Sequence, residues 1–288
     1  MKLVMTLLVR DEADIIRQNI EHHFSQGVDF VVATDNGSID GTREILAEYE
    51  RAGYLKIIDD PEQDFSLHIW VTRMAKMAGV EFGADWVLSN DADEFWVSPN
   101  GQLKSELQNS DAPELSCQRI NMLCAYDDTR DLHPFQKLVY RIKTPIPIPT
   151  SQDFVNDLIN NPYLYFDLPA KVLVQSKGLI RIRQGNHSAE FEQEKWTEHS
   201  SIKIYHSPFR SKEQFHKKIL QGGKAYTDNT RLSKNLGWHW RRWYKFINDD
   251  KFEDALAELL PSADRLQNDF LNGDIVKDFT LQEILTGT

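Results

Sequence analysis

Apolar runs and helical patterns alternate over the first sixty residues, and this alternation constrains the fold more than any other feature. Strands are predicted over Lys2–Val9, Phe30–Thr34 and Leu55–Ile58, with helices over Ile15–Phe24 and Arg43–Ala52 between them. An order of strand, helix, strand, helix, strand is typical of parallel sheets. We therefore predict an α/β fold with a mostly parallel sheet flanked by helices.

Charged side chains follow the ends of three predicted strands. Arg10 comes after the first strand, Asp35 after the second, and Asp91 after a later apolar run that ends at Leu88. Ligands of parallel sheets bind outside the carboxyl ends of the strands. We expect Arg10, Asp35 and Asp91 to converge on one crevice, although they are far apart in the sequence.

Two aspartates, Asp91 and Asp93, lie two residues apart at the end of that later strand. In an extended segment both carboxylates would face the same side. Two carboxylates that face one way repel each other and favour a cation between them. Oxygen ligands of this kind suit Mg²⁺ or Mn²⁺, which also take phosphate oxygens as ligands. The spacing predicts a metal site that binds a diphosphate.

A simpler interpretation competes with the metal site, because acidic clusters after strands are also typical of solvated turns and helix N-caps. Apolar residues flank the cluster on both sides, over Trp86–Leu88 and Phe95–Val97. A surface turn does not require such flanks, and they favour the metal site.

The middle of the chain adds one helix and several strands. The helix is predicted over His68–Gly79; its Arg73 is either solvated, as is usual, or contacts an anionic ligand. Lys171–Val174 and Leu179–Ile182 are predicted as two strands joined around Lys177-Gly178. Further along, we predict a strand over Ile202–Tyr205, a helix over Lys212–Leu220 that leads to Gly222-Gly223, and a helix over Phe252–Leu260.

The bulk properties exclude several classes of protein. With 33 Lys and Arg against 44 Asp and Glu, the net charge of −11 argues against a general nucleic-acid binder. No run approaches the 18 apolar residues of a transmembrane helix, and Leu3–Val9 is a strand and not a signal peptide. Cys117 and Cys124 are expected to be small buried residues without a disulfide. We expect a cytoplasmic protein.

Aromatic and basic residues alternate over Trp238–Phe246. Such a stretch is typical either of contact with a membrane surface or an anionic polymer, or of an aromatic helix packed on its own domain with solvated basic residues. The second case is the commoner one. Peripheral membrane contact is compatible with the first.

Four motifs occur in an order that resembles the GT-A fold glycosyltransferases, in particular the family 2-like group. They are VRDEADIIRQNIEHHFSQGVDFVVATDNGSIDGT from Val9, DWVLSNDADEF from Asp85, GNHS from Gly185, and HSPFRSKEQF from His206. The resemblance implies a GT-A (Rossmann-like) domain over residues 1–220 and a C-terminal helical extension over residues 221–288.

The resemblance also implies roles for the acidic and basic residues of the first half. Asp35 would contact the nucleotide base, and Arg10, Glu12 and Asn36 would line the same pocket. Asp91 would contact the ribose or a metal-bound water, and Asp93 would bind the metal directly.

Later residues are given roles in the same way. His206 would complete the metal or diphosphate site, unless it is a structural histidine, and Arg210 would neutralise the leaving diphosphate. His187 would be an alternative metal ligand or lie beside the acceptor. The Glu-Asp pair of family 2 enzymes does not stand out here, so Glu190, with Asp153 behind it, is the candidate catalytic base.

The implied activity is a Mn²⁺- or Mg²⁺-dependent transfer of a sugar, with inversion, from a nucleotide-diphosphate donor, expected to be a UDP-sugar. The acceptor would be a glycan or lipid-linked glycan. One rival is a sugar nucleotidyltransferase, which would carry a Gly-rich loop where this chain has VRDEAD. A phosphatase would carry its Asp-x-Asp near the start of the domain, followed by Thr or Val. A non-catalytic carbohydrate-binding protein is the third rival.

Overall fold

The computed structural model describes residues 1–60, 67–128, 130, 134–148, 159–194, 196–229 and 237–287. The chain divides into two compact units, and each unit is built from two separate stretches of the sequence. The first contains Met1–Ile120 and Pro169–His206, and the second contains Asn121–Leu168 and Ser207–Thr288.

The strands are short, as expected for a twisted sheet in a protein of this size. They are β1 (Leu3–Val9), β2 (Phe30–Asp35), β3 (Leu55–Asp59), β4 (Trp86–Asn90), β5 (Glu94–Val97), β6 (Glu114–Asn121), β7 (Tyr140–Ile142), β8 (Lys171–Gln175), β9 (Leu179–Ile182), β10 (Ala189–Phe191), β11 (Thr197–His206) and β12 (Ile275–Lys277).

The helices follow the strands early in the chain and dominate its end. They are α1 (Ile16–Ser25), α2 (Thr42–Arg51), α3 (Leu67–Val80), α4 (Leu103–Leu107), α5 (Pro134–Lys137), α6 (Lys212–Asp228), α7 (Trp238–Asn248), α8 (Phe252–Leu259), α9 (Ala263–Leu271) and α10 (Thr280–Thr286). The boundary predicted between residues 220 and 221 lies within α6.

An eight-stranded sheet in the order β3-β2-β1-β4-β8-β6-β11-β5 organises the first unit. The strands β3, β2, β1 and β4 are parallel to one another, whereas β8 is antiparallel to both β4 and β6, and β11 is antiparallel to β5. The predicted α/β fold class is confirmed, and its parallel part is the half of the sheet built from the first ninety residues.

The three inner parallel strands, β1, β2 and β4, are buried on both faces, whereas the edge strand β3 has exposed side chains on one face. In β1, Leu3, Val4, Met5 and Leu7 are fully buried, so the strand has no solvent face. Val4 belongs to a cluster with Met74 and other apolar residues of α3, which packs along β1, β2 and β4. Burying each such side chain contributes roughly 1.5–3 kcal/mol to folding, which fixes the register of these strands.

The two strands predicted around Lys177-Gly178 are both present, but they belong to different sheets. β8 joins the main sheet between β4 and β6, whereas β9 pairs with β10 in a separate two-stranded sheet. The turn at Gly178, which has φ of 71°, therefore passes the chain from one sheet to the other.

In the second unit, α6 packs closely along α7. The helix was predicted to end before Gly222-Gly223, but it continues to Asp228. A Cβ on Gly222 would lie 2.8 Å from the Trp240 ring, and one on Gly223 would lie 2.8 Å from the Trp240 carbonyl oxygen. Both glycines are required by this close approach, and they do not end the helix.

No helix in the described part of the chain is long and apolar enough to cross a membrane.

Candidate active site

The charged residues predicted to converge do so at the carboxyl edge of the parallel strands. The register pairs Val9, the last residue of β1, with Asp35, the last residue of β2. On the other side of β1, β4 ends at Asn90. Arg10, Asp35 and Asp91 therefore stand at the same edge of three neighbouring strands, as expected from the sequence.

Hydrogen bonds join the loops that follow β1 and β2 into one structure, which we call the base rim (residues 10–13 and 35–42). The Asp11 amide donates to Ser38 Oγ at 3.0 Å, and the Glu12 amide donates to Thr42 Oγ1 at 2.8 Å. In return, the Ile39 amide donates to Asp11 Oδ1 at 2.8 Å. Glu12 thus contributes a backbone contact that holds the two loops together.

Two buried polar atoms of the base rim have no hydrogen-bond partner among the described residues. They are Oδ1 of Asp35 and Nε of Arg10. The other carboxylate oxygen of Asp35 accepts from the Ser38 amide at 3.3 Å, and the Asn36 amide group donates to the Asp60 carbonyl at 2.9 Å. Buried polar groups in native proteins are nearly always paired. The acceptor Oδ1 of Asp35 and the donor Nε of Arg10 therefore favour a polar ligand at this edge of the sheet.

Asp91 and Asp93 lie in a tight turn and not in an extended segment. The turn, which we call the acidic turn (Asp91–Glu94), joins β4 to β5 and is closed by a hydrogen bond of 3.0 Å from the Glu94 amide to the Asp91 carbonyl. The expected extended geometry is therefore wrong. Its physical reason is this turn bond together with Asn19 of α1, which binds the carbonyls of Ala92 and Glu94.

A buried lysine neutralises one end of the acidic turn. Lys171 Nζ lies 2.5 Å from Asp91 Oδ2 and 2.6 Å from Glu94 Oε2, and Arg119 lies 3.4 Å from the other Glu94 oxygen. Burial alone would lower the pKa of Lys171, but the carboxylates of Asp91 and Glu94 outweigh it and raise that pKa. The ammonium therefore stays charged, and Asp91 already has a cationic partner.

The other aspartate of the turn lies beside a histidine. β11 runs antiparallel to β5 and places His206 opposite Glu94, so that His206 Nε2 is 3.9 Å from Asp93 Oδ2. Both side chains are largely buried. Asp93 and His206, two of the three residues predicted at the metal site, are thus neighbours, although 113 positions apart by their numbers.

The donor chemistry of Asp93 and His206 fits a divalent cation. Adjacent ligands of an octahedral ion at about 2.1 Å lie roughly 3.0 Å apart, so Nε2 and Oδ2, which are 3.9 Å apart here, would approach each other by about 0.9 Å to bind one ion. Mg²⁺ and Mn²⁺ sites commonly use one or two protein ligands and take the rest from phosphates and water. Within the described ranges, no group of three or more His, Cys, Asp or Glu side chains is placed to hold a metal.

Two of the candidates for the catalytic base, Glu190 and His187, lie among the described residues. Glu190 of β10 accepts hydrogen bonds from Arg181, at 2.6 and 2.8 Å, and from Arg183. The bond from Arg181 lowers the pKa of Glu190, which disfavours a role as a general base. His187 Nδ1 donates to the Ala170 carbonyl at 2.7 Å. Asp153 lies outside the described residues.

The two predicted phosphate-binding arginines differ in placement. Arg73 of α3 is largely exposed and lies 3.8 Å from the carboxylate of Asp60. Arg210 belongs to the second unit, where it is buried and lines a small cavity with Lys137 and Lys212.

Sequence reasoning missed Lys171 and Asn19. Lys171 opens a run of apolar residues, and a lysine at the start of a buried strand is a signal for a buried ion pair. Asn19 lies three residues after Ile16 and one before Ile20, within the apolar face of α1. Its helical spacing could have marked it as buried.

Comparisons with known proteins place the chain among sugar-transferring enzymes. No curated protein matches it. Two solved structures of Staphylococcus aureus TarS 1-349 resemble it. One is 13% identical over 99% of this chain and 81% of the other with a TM-score of 0.41, and the UDP complex is 12% identical over 100% and 91% with a TM-score of 0.42.

Glucosyl-3-phosphoglycerate synthase from Mycobacterium tuberculosis, solved with Mn²⁺ and UDP, is 15% identical over 42% of this chain and 44% of its own, with a TM-score of 0.28. Structural similarities of this size carry no argument about activity. Residues 4–118, less than half of the chain, match the model of "Glycosyltransferase family 92". The match does not confirm the family 2-like resemblance, but it does confirm the predicted enzyme class, a glycosyltransferase.

Proposed function

We propose that the protein transfers a sugar, in a metal-dependent reaction, from a UDP-sugar to a hydroxyl group of a glycan or lipid-linked glycan. The observation that carries the proposal is the convergence of Arg10, Asp35 and the acidic turn at one edge of the sheet, with His206 beside Asp93. A base-binding acceptor and a pair of metal ligands at one strand edge suit a nucleoside diphosphate sugar.

In this proposal, the base rim binds the uracil ring. Oδ1 of Asp35 would accept a hydrogen bond from the ring N–H, and Nε of Arg10 would donate to an oxygen of the ligand. Both contacts would pair atoms that are buried without a partner among the described residues. Asp91, held by Lys171, would face the ribose.

Asp93 and His206 would hold the cation. When bound, a divalent cation stabilises the negative charge that develops on the leaving diphosphate. The protein's own contribution is to present one carboxylate and one imidazole nitrogen next to each other before the ligand arrives. Arg210 is proposed to add positive charge near the diphosphate, and Arg73, His187 and the acid Asp153 remain proposed contacts of donor or acceptor. Inversion at the sugar is proposed by resemblance alone.

The proposal is tested by calorimetric titration of UDP into the protein, with Mn²⁺ and with EDTA, together with turnover of a panel of UDP-sugars. Asp93→Asn should weaken the Mn²⁺-dependent binding of UDP by more than about 30-fold while the protein stays folded. The exposed Asp111→Asn in the same unit is the matched control and should bind as wild type does. Binding of UDP that ignores both Mn²⁺ and Asp93→Asn would refute the metal site.

A second pair of variants separates the metal ligand from the leaving-group contact. His206→Ala should weaken the apparent affinity for Mn²⁺ and lower turnover together, because it removes a proposed ligand. Arg210→Ala should lower turnover mainly. If His206→Ala keeps the apparent Mn²⁺ affinity of wild type, the histidine is structural and His187 becomes the better ligand candidate.

A further inference from the structure

A chain of buried amides connects α1 to the acidic turn. Asn19 Nδ2 donates to the Ala92 carbonyl at 2.9 Å and to the Glu94 carbonyl at 2.8 Å. Asn19 Oδ1 accepts from Asn90 Nδ2 at 3.0 Å, and Asn90 Oδ1 accepts from the Trp96 indole N–H at 2.8 Å. Asn19, Asn90 and Trp96 are buried, so water does not compete for these bonds.

The direction of every bond in this chain is fixed by chemistry. The indole nitrogen of Trp96 can only donate, so it must face the Asn90 oxygen, and the Asn90 amide group must then face the Asn19 oxygen. The two N–H groups of Asn19 are left to face two backbone carbonyls, which can only accept. No alternative orientation of either amide satisfies the same partners.

The two carbonyls that Asn19 holds flank Asp93 in the sequence. The acidic turn has one internal backbone hydrogen bond, from the Glu94 amide to the Asp91 carbonyl, and this bond holds the Asp93–Glu94 peptide group. Asn19 holds the peptide group before it, Ala92–Asp93, and the one after it, Glu94–Phe95. Pinning these groups removes the backbone rotations that would swing the Asp93 carboxylate away from His206.

We infer that Asn19 is a positioning residue that sets the direction of the Asp93 carboxylate, through its two bonds to the Ala92 and Glu94 carbonyls, for binding of the metal and diphosphate. The inference rests on the proposed function. Asn19 touches neither substrate nor metal in this scheme, and its effect passes through the backbone of the acidic turn.

The test compares Asn19→Ala with Ile20→Ala. Ile20 is the next residue of α1 and is fully buried, so its replacement also disturbs the packing of the helix, but it leaves the turn carbonyls paired. Both variants are titrated with UDP and Mn²⁺ at a temperature where unfolding curves show that they are folded. Asn19→Ala should bind about tenfold more weakly than Ile20→Ala, and its apparent Mn²⁺ affinity should fall with it.

Hydrogen exchange of the ligand-free protein gives a second readout that does not depend on activity. The Glu94 amide, which closes the acidic turn, should exchange at least about tenfold faster in Asn19→Ala than in Ile20→Ala, since the freed turn opens locally. Equal exchange and equal binding in the two variants would overturn the inference.

Trp96→Phe covers the case in which Asn19→Ala does not fold. The change keeps an aromatic ring in the core but removes the indole donor, and about threefold weaker binding is expected from the loosened Asn90 and Asn19 amides. Wild-type affinity in Trp96→Phe would contradict the inference. If the wild-type protein itself does not bind UDP with Mn²⁺, the proposed function fails, and the exchange measurement still decides the role of Asn19.

Discussion

The base rim and the acidic turn stand at the same edge of the sheet, but the protein treats their polar groups in opposite ways. In the acidic turn, Asp91 and Glu94 share a buried lysine, and the Ala92 and Glu94 carbonyls are bound by Asn19. In the base rim, one oxygen of Asp35 and Nε of Arg10 are buried without a partner among the described residues.

This difference predicts that the acidic turn affects mainly the stability of the fold and that the base rim affects mainly which ligand is bound. Removing one partner of a buried ion pair leaves the other charge buried without compensation, so changes in the acidic turn should be visible in unfolding experiments. Buried groups without internal partners cost free energy in folding, and a ligand that pairs with them offsets this cost, so changes to them should alter mainly which ligand is bound. The following predictions test this division, beginning with the largest expected effect.

Removal of Lys171 from the acidic turn should have the largest effect on the free energy of unfolding. Lys171→Met leaves Glu94, which is fully buried, and Asp91 without their shared cation, and should lower the free energy of unfolding by about 3–5 kcal/mol. Urea unfolding measures the loss. Lys177→Met, which alters an exposed lysine in the turn between β8 and β9, is the control and should change stability by less than about 0.5 kcal/mol. Equal losses of stability in both variants would contradict the proposed difference between the acidic turn and the base rim.

A substitution in the base rim should change the preference between nucleotides. Asp35→Asn replaces a carboxylate that can only accept with an amide that can also donate, so the preference for UDP over CDP should fall by about tenfold. Competition binding with the two nucleotides in the presence of Mn²⁺ measures the ratio. The unfolding curve should move little, because Oδ1 has no internal partner among the described residues. A variant that keeps its preference for UDP would show that Asp35 does not contact the base.

Acid should weaken the protein through the histidines behind the acidic turn. His23 Nε2 accepts from the Trp96 amide at 3.3 Å, and Nδ1 donates to the Asn19 carbonyl at 2.7 Å, so the ring is bound in its neutral form. Burial lowers the pKa of His23 well below its ordinary value. Below pH 6.5, the unfolded chain therefore binds a proton at His23 that the folded protein does not bind. The contribution of His23 to the free energy of unfolding is present above pH 6.5 and is lost as the pH falls below it.

The expected loss from His23 between pH 7.5 and 5.5 is about 1 kcal/mol in the free energy of unfolding. Unfolding in urea at the two pH values measures it. His23→Gln should flatten the dependence, whereas His199→Gln, which changes an exposed histidine of β11, should leave the slope unaltered. A slope that survives in His23→Gln would assign the effect to another group, the first candidate being the neighbouring His22, whose pKa burial also lowers.

The smallest effect is expected at Glu190. Its carboxylate is already bound by Arg181 and Arg183, as Asp91 is bound by Lys171, so Glu190→Gln should lower kcat by less than about threefold. A general base removed in this way would lower kcat by about 10²–10⁴-fold. A loss of that size would restore Glu190 as the catalytic base.

Apolar periodicity was sufficient to predict the parallel half of the sheet. Strands buried on both faces produce continuous apolar runs, so β1 and β2 are located within a residue or two, and the positions of Arg10 and Asp35 at their ends follow from the direction of the chain. The edge strand β3 is located as closely, although it is buried on one face only. The site could be predicted to the extent that it depends on strand ends.

Features that depend on pairing between distant residues were not predicted. The acidic turn was expected to be extended because nothing in its own sequence shows that Asn19, more than seventy positions away, holds its carbonyls. Likewise, the partner of Asp91 lies in β8, and a local pattern cannot reveal it. Gly222-Gly223 is a normal signal for the end of a helix, and only the closeness of α7 explains why α6 continues.

The amide chain from Asn19 through Asn90 to Trp96 also restricts how this family of sequences can vary. Each of these three side chains has one orientation that satisfies its hydrogen bonds, and that orientation depends on the next side chain. A replacement at one of the three positions therefore has to be accompanied by a replacement at another. When relatives of this chain are aligned, positions 19, 90 and 96 should therefore change together or not at all, while the neighbouring exposed position 21 varies independently.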